Sequence, residues 1–176
     1  MSNFSILYKR ETIEFVSIAK EYLVLLENTR QTQKKEFIEK TLKIVSLLYF
    51  KALNLPNPNY FEEEYAEKFV DEIHWSYFQN NVAEVLGEDD IFIQLQDSNI
   101  VSDSDYLNVP LSEIYADLYQ EFGDVIGAYK TENEETMLAA INCCYENFGT
   151  YWGIRVLLLL KNLHTINYNL NSNESF

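Results

Sequence analysis

A chain of 176 residues with 47% hydrophobic and 15% aromatic content is long enough to bury a core and too apolar to stay disordered. Its formal net charge of −15 opposes phosphate backbones and anionic lipid heads, so neither nucleic acid nor a membrane is an expected partner. The acidity is uneven: residues 1–55 come to about +3 and the remainder to about −18, which makes Lys34, Lys35, Lys40 and Lys43 an internal electrostatic match for later acidic helices.

The amino-terminal residues lack the basic region, apolar stretch and cleavage site of a secretory signal, so a cytoplasmic location is expected. The longest apolar run, Val156–Leu160, is far shorter than the ~20 residues of a spanning helix. Cys143 and Cys144 are adjacent in a helical pattern, where neighbouring side chains diverge by roughly 100°, so neither a disulfide framework nor a zinc site is expected.

Along the chain, Phe15, Ile18, Ala19, Tyr22, Leu25 and Leu26 form one apolar stripe and predict a helix over about 11–27. A polar break precedes a second helix over about 34–54, with Phe37, Ile38, Leu42, Val45, Leu48 and Tyr49 at spacings of three and four and with Pro56 and Pro58 ending it. From 61 to 86 the pattern is again helical, with Tyr65, Phe69, Ile73, Tyr77, Ala83 and Leu86 on one side and Gly87 as its cap. The short apolar run in 89–97 is ambiguous by period and is assigned to a short helix, and 98–108 reads as the main loop. Pro110 and Ser112 open a helix to about Lys130 whose buried face is Ile114, Leu118, Phe122, Val125 and Tyr129. A turn over 131–135 caps a last helical stretch from about 136 to 166, bent near Gly149, and the Asn/Ser-rich segment 167–176 reads as a disordered tail. The expected fold is all-α: a single domain over 1–166, built as a bundle of five or six largely antiparallel helices.

Two glycine pairs stand at helical spacing, Gly123/Gly127 and Gly149/Gly153. Each mid-helix glycine costs ~1 kcal/mol relative to alanine, so either another backbone approaches closely there or each glycine marks a local clash or bend. Glu113, Asp117 and Asp124, with Gln120 between, share one helical face that is either a solvated acidic surface or a carboxylate site for metal or acid–base work. Asp71 three residues before His74 falls short of the paired Glu-x-x-His motifs of di-iron bundles, and His74 is expected to be exposed on a polar face. His164, following Leu160, Leu157 and Gly153, reads as a hydrogen-bonded histidine at the edge of the core. No nucleophile motif or phosphate-binding loop is present. Tyr115, Tyr119, Tyr145, Phe148, Tyr151 and Trp152 gather aromatic bulk near Arg155, suited to a ligand pocket or a partner surface, with core packing the simpler reading for most of them.

The run Ser112-Glu113-Ile114-Tyr115-Ala116-Asp117-Leu118-Tyr119-Gln120-Glu121, followed by Asn147-Phe148, Tyr151-Trp152-Gly153 and Leu163-His164, resembles a bacterial family of unknown function, number 5063, found largely in gut and environmental Bacteroidetes. Stretches 15–27 and 42–56 are also similar to it, and 110–164 is the most specific part. Ile114 stands where the family carries a second acidic residue. The resemblance implies a compact helical domain and brings no catalytic residue or cofactor.

These observations favour a non-catalytic helical domain that binds a protein partner or itself. Its expected surface comprises Glu113, Asp117, Tyr119, Gln120, Tyr151, Trp152 and His164, with no metal and no cofactor. The alternative is a small-molecule or metal-dependent enzyme with a carboxylate-lined cleft in the bundle.

Overall fold

The computed structural model describes residues 3–59, 66–96 and 106–173. After a 3₁₀ helix, Asn3–Tyr8, come α1 (Arg10–Glu27), α2 (Lys34–Leu53), α3 (Glu72–Leu86), a hairpin of β1 (Phe92–Gln96) and β2 (Tyr106–Pro110), α4 (Leu111–Lys130), α5 (Glu134–Asn147) and α6 (Gly153–Asn173). The fold is all-α in character, and no helix among the described residues is long and apolar enough to cross a membrane.

Helices α1 and α2 run antiparallel, as Lys51 near the end of α2 reaches Glu14 near the start of α1 at 2.6 Å. Helices α1 and α4 are antiparallel as well: Phe15 packs edge-on to Phe122, and the Tyr22 hydroxyl donates to the Tyr115 carbonyl one end further on, at 3.0 Å. The buried side chains of all six helices join in one hydrophobic cluster. At its centre Phe15, Phe122 and Trp152 interlock in edge and tilted ring contacts, with half-buried Phe148 packed against Trp152, each such pair worth about 0.5–1.5 kcal/mol beyond the area it buries.

Helix α4 is the hub of the bundle. Its apolar face, Ile114, Leu118, Phe122 and Val125, meets α1 as expected, but Ser112, Glu121, Gly123 and Asp124 are buried too. A helix enclosed on every side places its polar residues against protein rather than water, and they must find partners there.

Four expectations are corrected. The third helix starts at Glu72, not near 61, because Asp71 is its cap, accepting from the His74 amide at 2.8 Å; residues 60–65 lie outside the described set. Its buried face is accordingly Phe78, Val82 and Leu86, while Ile73 and Tyr77 face solvent and Phe69, ahead of the helix, lies against Gly127 of the later helix α4. The run near 92 is a strand, paired antiparallel with Tyr106–Pro110 so that Ile93 faces Val109, and the expected loop over 98–108 is therefore partly strand, with residues 97–105 outside the described set. Period alone could not separate strand from helix here, since the partner strand lies ten residues away. Finally, α6 continues through residue 173, where an irregular tail was expected from 167.

Other boundaries follow local chemistry. Gly87 closes α3 at a φ of +56°, a region that disfavours any side chain. Lys34 donates to the Leu86 carbonyl at 2.6 Å and pairs with Asp89, tying the start of α2 to the negative end of α3. Asp90 reaches across to cap α4, accepting from the Ser112 amide and hydroxyl at 2.8 Å each. Between α5 and α6 the chain makes one π-helical turn, Phe148–Trp152, which contains Gly149.

Candidate functional site

The residues that shape the surface around α4 are the ones marked by charge and by glycine in the sequence. Asp124, 5% exposed, directs Oδ1 at the backbone amides of Phe69 (2.7 Å) and Val70 (3.0 Å), while Oδ2 faces Lys68 Nζ at 2.9 Å. One turn earlier, Gln120 Nε2 donates to the Val70 carbonyl at 3.1 Å. One turn before that, Asp117 accepts from the Trp75 indole at 3.1 Å and from Arg155 Nε at 3.0 Å. Asp117, Gln120 and Asp124 thus form a clamp that holds the segment leading into α3 against α4. The Asp117 and Asp124 carboxylates are engaged by amide, indole, ammonium and guanidinium groups, while Glu113, the remaining residue of the expected stripe, takes no part in the clamp.

The first glycine pair serves the same clamp. A methyl group built on Gly123 would overlap Val70, and one built on Gly127 would overlap the Phe69 ring. The missing side chains let the 66–70 segment lie directly on the α4 backbone. The second pair behaves differently: Gly149 has open space around it, and Gly153 packs against the carbonyl and ring of Phe148 within its own π-helical turn. The two glycine pairs therefore do not mark a crossing of the helices that carry them.

Where this segment does not fill the space between α1 and α4, a groove of about 430 Å³ remains. Its apolar lining is Leu23, Phe69, Val70 and Ile126 with the bare backbone of Gly123 and Gly127, and its polar lining includes Glu27, His74, Tyr119, Lys130 and Thr131. At one end the Tyr119 hydroxyl donates to the Glu27 carboxylate at 3.3 Å, and the Tyr119 ring stacks on Phe78 at 3.8 Å. On the rim, His74 Nδ1 lies 2.7 Å from Asp71 Oδ1, and the same contacts hold the Asp71 carboxyl below its ordinary range. Ile73, 79% exposed, stands beside His74 in solvent.

A second polar cluster lies on the far side of the clamp. The Arg155 guanidinium sits 3.7 Å above the Tyr151 ring while pairing with Asp117. Glu113, one turn before Asp117, has its carboxyl raised, first by burial and then by the Asp117 charge. A third cluster is buried between α4 and α5. Glu121, 8% exposed, accepts from Asn147 Nδ2 with both carboxylate oxygens at 3.1 Å, and burial pushes its carboxyl up to about 7. Burial also raises both neighbouring thiols, Cys143 and Cys144. Among the described residues no group of three or more His, Cys, Asp and Glu is placed to hold a metal ion.

The profile of a domain of unknown function, DUF5063, matches residues 6–169. The chain belongs to the DUF5063 family. A crystallised protein of Bacteroides fragilis, BF1032, superposes with a TM-score of 0.80 at 31% identity, the alignment covering 93% of this chain and 96% of that one. No curated protein matches the sequence. Family membership and this neighbour agree on a helical domain to which no activity is attached.

Of the surface expected for this DUF5063 chain, Glu113, Asp117, Gln120 and Tyr151 do lie around the clamp, and Tyr119 reaches the groove on the opposite flank. Trp152 is fully buried, donating its indole N–H to the Cys144 carbonyl at 2.8 Å, and belongs to the core. His164 is exposed and tilted against Tyr168 rather than hydrogen-bonded at the core edge, because the core-facing positions of α6 are Val156, Leu159, Leu163 and Ile166. The groove residues Glu27, Phe69, Val70 and Lys130 were not singled out by sequence. The available signal was the pair Gly123/Gly127, which marks the groove floor without naming what lies on it.

Proposed function

We propose that this chain is a non-catalytic helical binding domain and that its binding site is the groove between α1, α4 and the 66–70 segment. The observation that carries this reading is the groove itself: about 430 Å³, within the range of ligand pockets, with an apolar floor and a few polar groups at its edges. Phe69, partly exposed in its lining, adds apolar surface of the kind that partners cover. Engagement of Asp117 and Asp124 in the clamp supports binding over carboxylate chemistry, since neither has an oxygen left for acid–base work without releasing α3.

A fragment screen followed by amide NMR tests the reading. Binders should shift the Gly123, Gly127 and Ile126 amides and leave Glu113 and Arg155 unmoved. Binders that gather instead at Glu113, Asp117 and Arg155 would transfer the site to the other flank and favour the carboxylate reading, and a screen with no groove binder would refute the proposal.

A further inference from the structure

Seven of the thirteen Lys and Arg residues of this acidic chain stand on two helices that pack side by side. Helix α2 holds five lysines against two glutamates, and α6 one arginine and one lysine against no acid, so the pair carries +5 in a chain of net charge −15 and the rest of the chain carries −20. These cations are not all used by the fold. Lys34 pairs with Asp89, Lys51 with Glu14 and Lys40 with Glu36 of its own helix, while Lys43 and, on α6, Lys161 are exposed and make no ion pair among the described residues.

The same two helices leave large apolar side chains in water. Tyr49 near the end of α2 meets the Phe148 ring just ahead of α6, and α6 packs along α2 from there, so the two run antiparallel and the last turns of α2 lie beside the first turns of α6. At that end Leu47 and Phe50 of α2 and Ile154 and Leu157 of α6 are 43–57% exposed. On α2 the exposed positions Lys40, Lys43, Leu47 and Phe50 recur at three, four and three, as do Ile154, Leu157, Lys161 and His164 on α6. That is the spacing at which one helix receives another along its length.

We propose that the α2/α6 face docks an amphipathic helix of a partner protein, apolar along one stripe and rich in aspartate and glutamate beside it. Charge decides among the occupants. A second copy turned onto the same face would set Lys43 and Lys161 against their own kind, since a two-fold contact pairs a patch with itself. Duplex nucleic acid or an anionic bilayer extends beyond this face and meets the −20 of the remaining chain. An acidic helix touches the cationic face alone, and its apolar stripe covers side chains that water now reaches. The face shares no residue with the groove beside Gly123 and Gly127, so the two sites are tested independently.

Three blocked peptides titrated into the full chain test this, with the Leu47, Phe50, Ile154 and Leu157 amides as the readout: three repeats of Leu-Glu-Glu-Leu-Ala-Glu-Ala, the same peptide with lysine for every glutamate, and the acidic peptide with serine for every leucine. The acidic amphipathic peptide should bind at least tenfold more tightly than either of the others and leave the Gly123 and Gly127 amides unmoved. Lys43→Glu combined with Lys161→Glu should turn the preference to the basic peptide, and Phe50→Ser combined with Leu157→Ser should weaken the acidic one at least tenfold; all four positions are exposed, so the variants leave the core intact. Equal affinity for the acidic and basic peptides, or a preference untouched by the lysine substitutions, would overturn the acidic partner. Shifts confined to the groove amides, or none with peptide in large excess, would overturn the docking surface itself. Light scattering that finds a dimer of the free chain with these four amides at its contact would assign the face to a second copy and overturn the proposal as well.

Discussion

Replacing Glu121 with glutamine should convert a pH-dependent domain into a flatter one. In the unfolded chain this carboxyl ionises near its ordinary 4.5, whereas in the bundle burial holds the proton until about 7. A raised folded-state value means that the stability contribution is complete below about 4.5 and is lost as the pH rises through 7. The gap of about 2.5 pH, at ~1.36 kcal/mol for each, puts the loss at about 3 kcal/mol by pH 8. Asn147, Lys68 and the Cys144 thiol already favour the ionised form, so that figure is what remains after their help. Glutamine keeps the shape and can still accept from Asn147 Nδ2, but it has no charge to bury. Urea unfolding of both proteins at pH 5, 6, 7 and 8 isolates the effect, because other titrating groups cancel in the difference. The variant's advantage should grow by about 2.5 kcal/mol between pH 5 and 8, or by roughly 5–10 °C in Tm for a chain of this size. A difference that stays level across that range would refute the assignment of a buried, proton-holding carboxyl.

Two further predictions concern the clamp. Helix propensity alone says that every mid-helix Gly→Ala change gains about 1 kcal/mol, but Gly127→Ala forces the new methyl into Phe69 and should lower Tm, whereas Gly149→Ala meets open space and should raise it; thermal melts of the pair separate the two roles. Asp124→Ala strands the amides of Phe69 and Val70 and leaves Lys68 without its acid, so it should cost about 2–4 kcal/mol in denaturant unfolding and speed hydrogen exchange at those two amides ahead of the rest of the bundle.

The contrast between α1 and α3 explains how much of this could be read in advance. In α1 the stripe from Phe15 to Leu26 is both the helical signal and the buried face, and the helix begins within one residue of its expected start. In α3 the pattern Phe69, Ile73, Tyr77 is equally periodic, yet Ile73 and Tyr77 face solvent and Phe69 is not helical at all. What differs is where the partners lie. Backbone amides of Phe69 and Val70 take Asp124, more than fifty residues away, in place of a helical carbonyl, and a local window does not contain that residue. The candidate site divides along the same line: Asp117, Gln120, Asp124 and Gly123/Gly127 stood out by type and spacing, while Glu27, Val70 and Lys130 carried no motif.

By itself the sequence determined the helical class and the bulk of each long helix, because apolar spacing, caps and glycines act within one or two turns of chain. Only the tertiary structure decided that Asp117, Gln120 and Asp124 clamp the segment before α3, that Phe92–Gln96 is a strand, that Trp152 is core and that a groove opens beside Gly123 and Gly127. Each of those depends on which distant residue satisfies a charge, an amide or an exposed edge, and that choice is made when the helices pack.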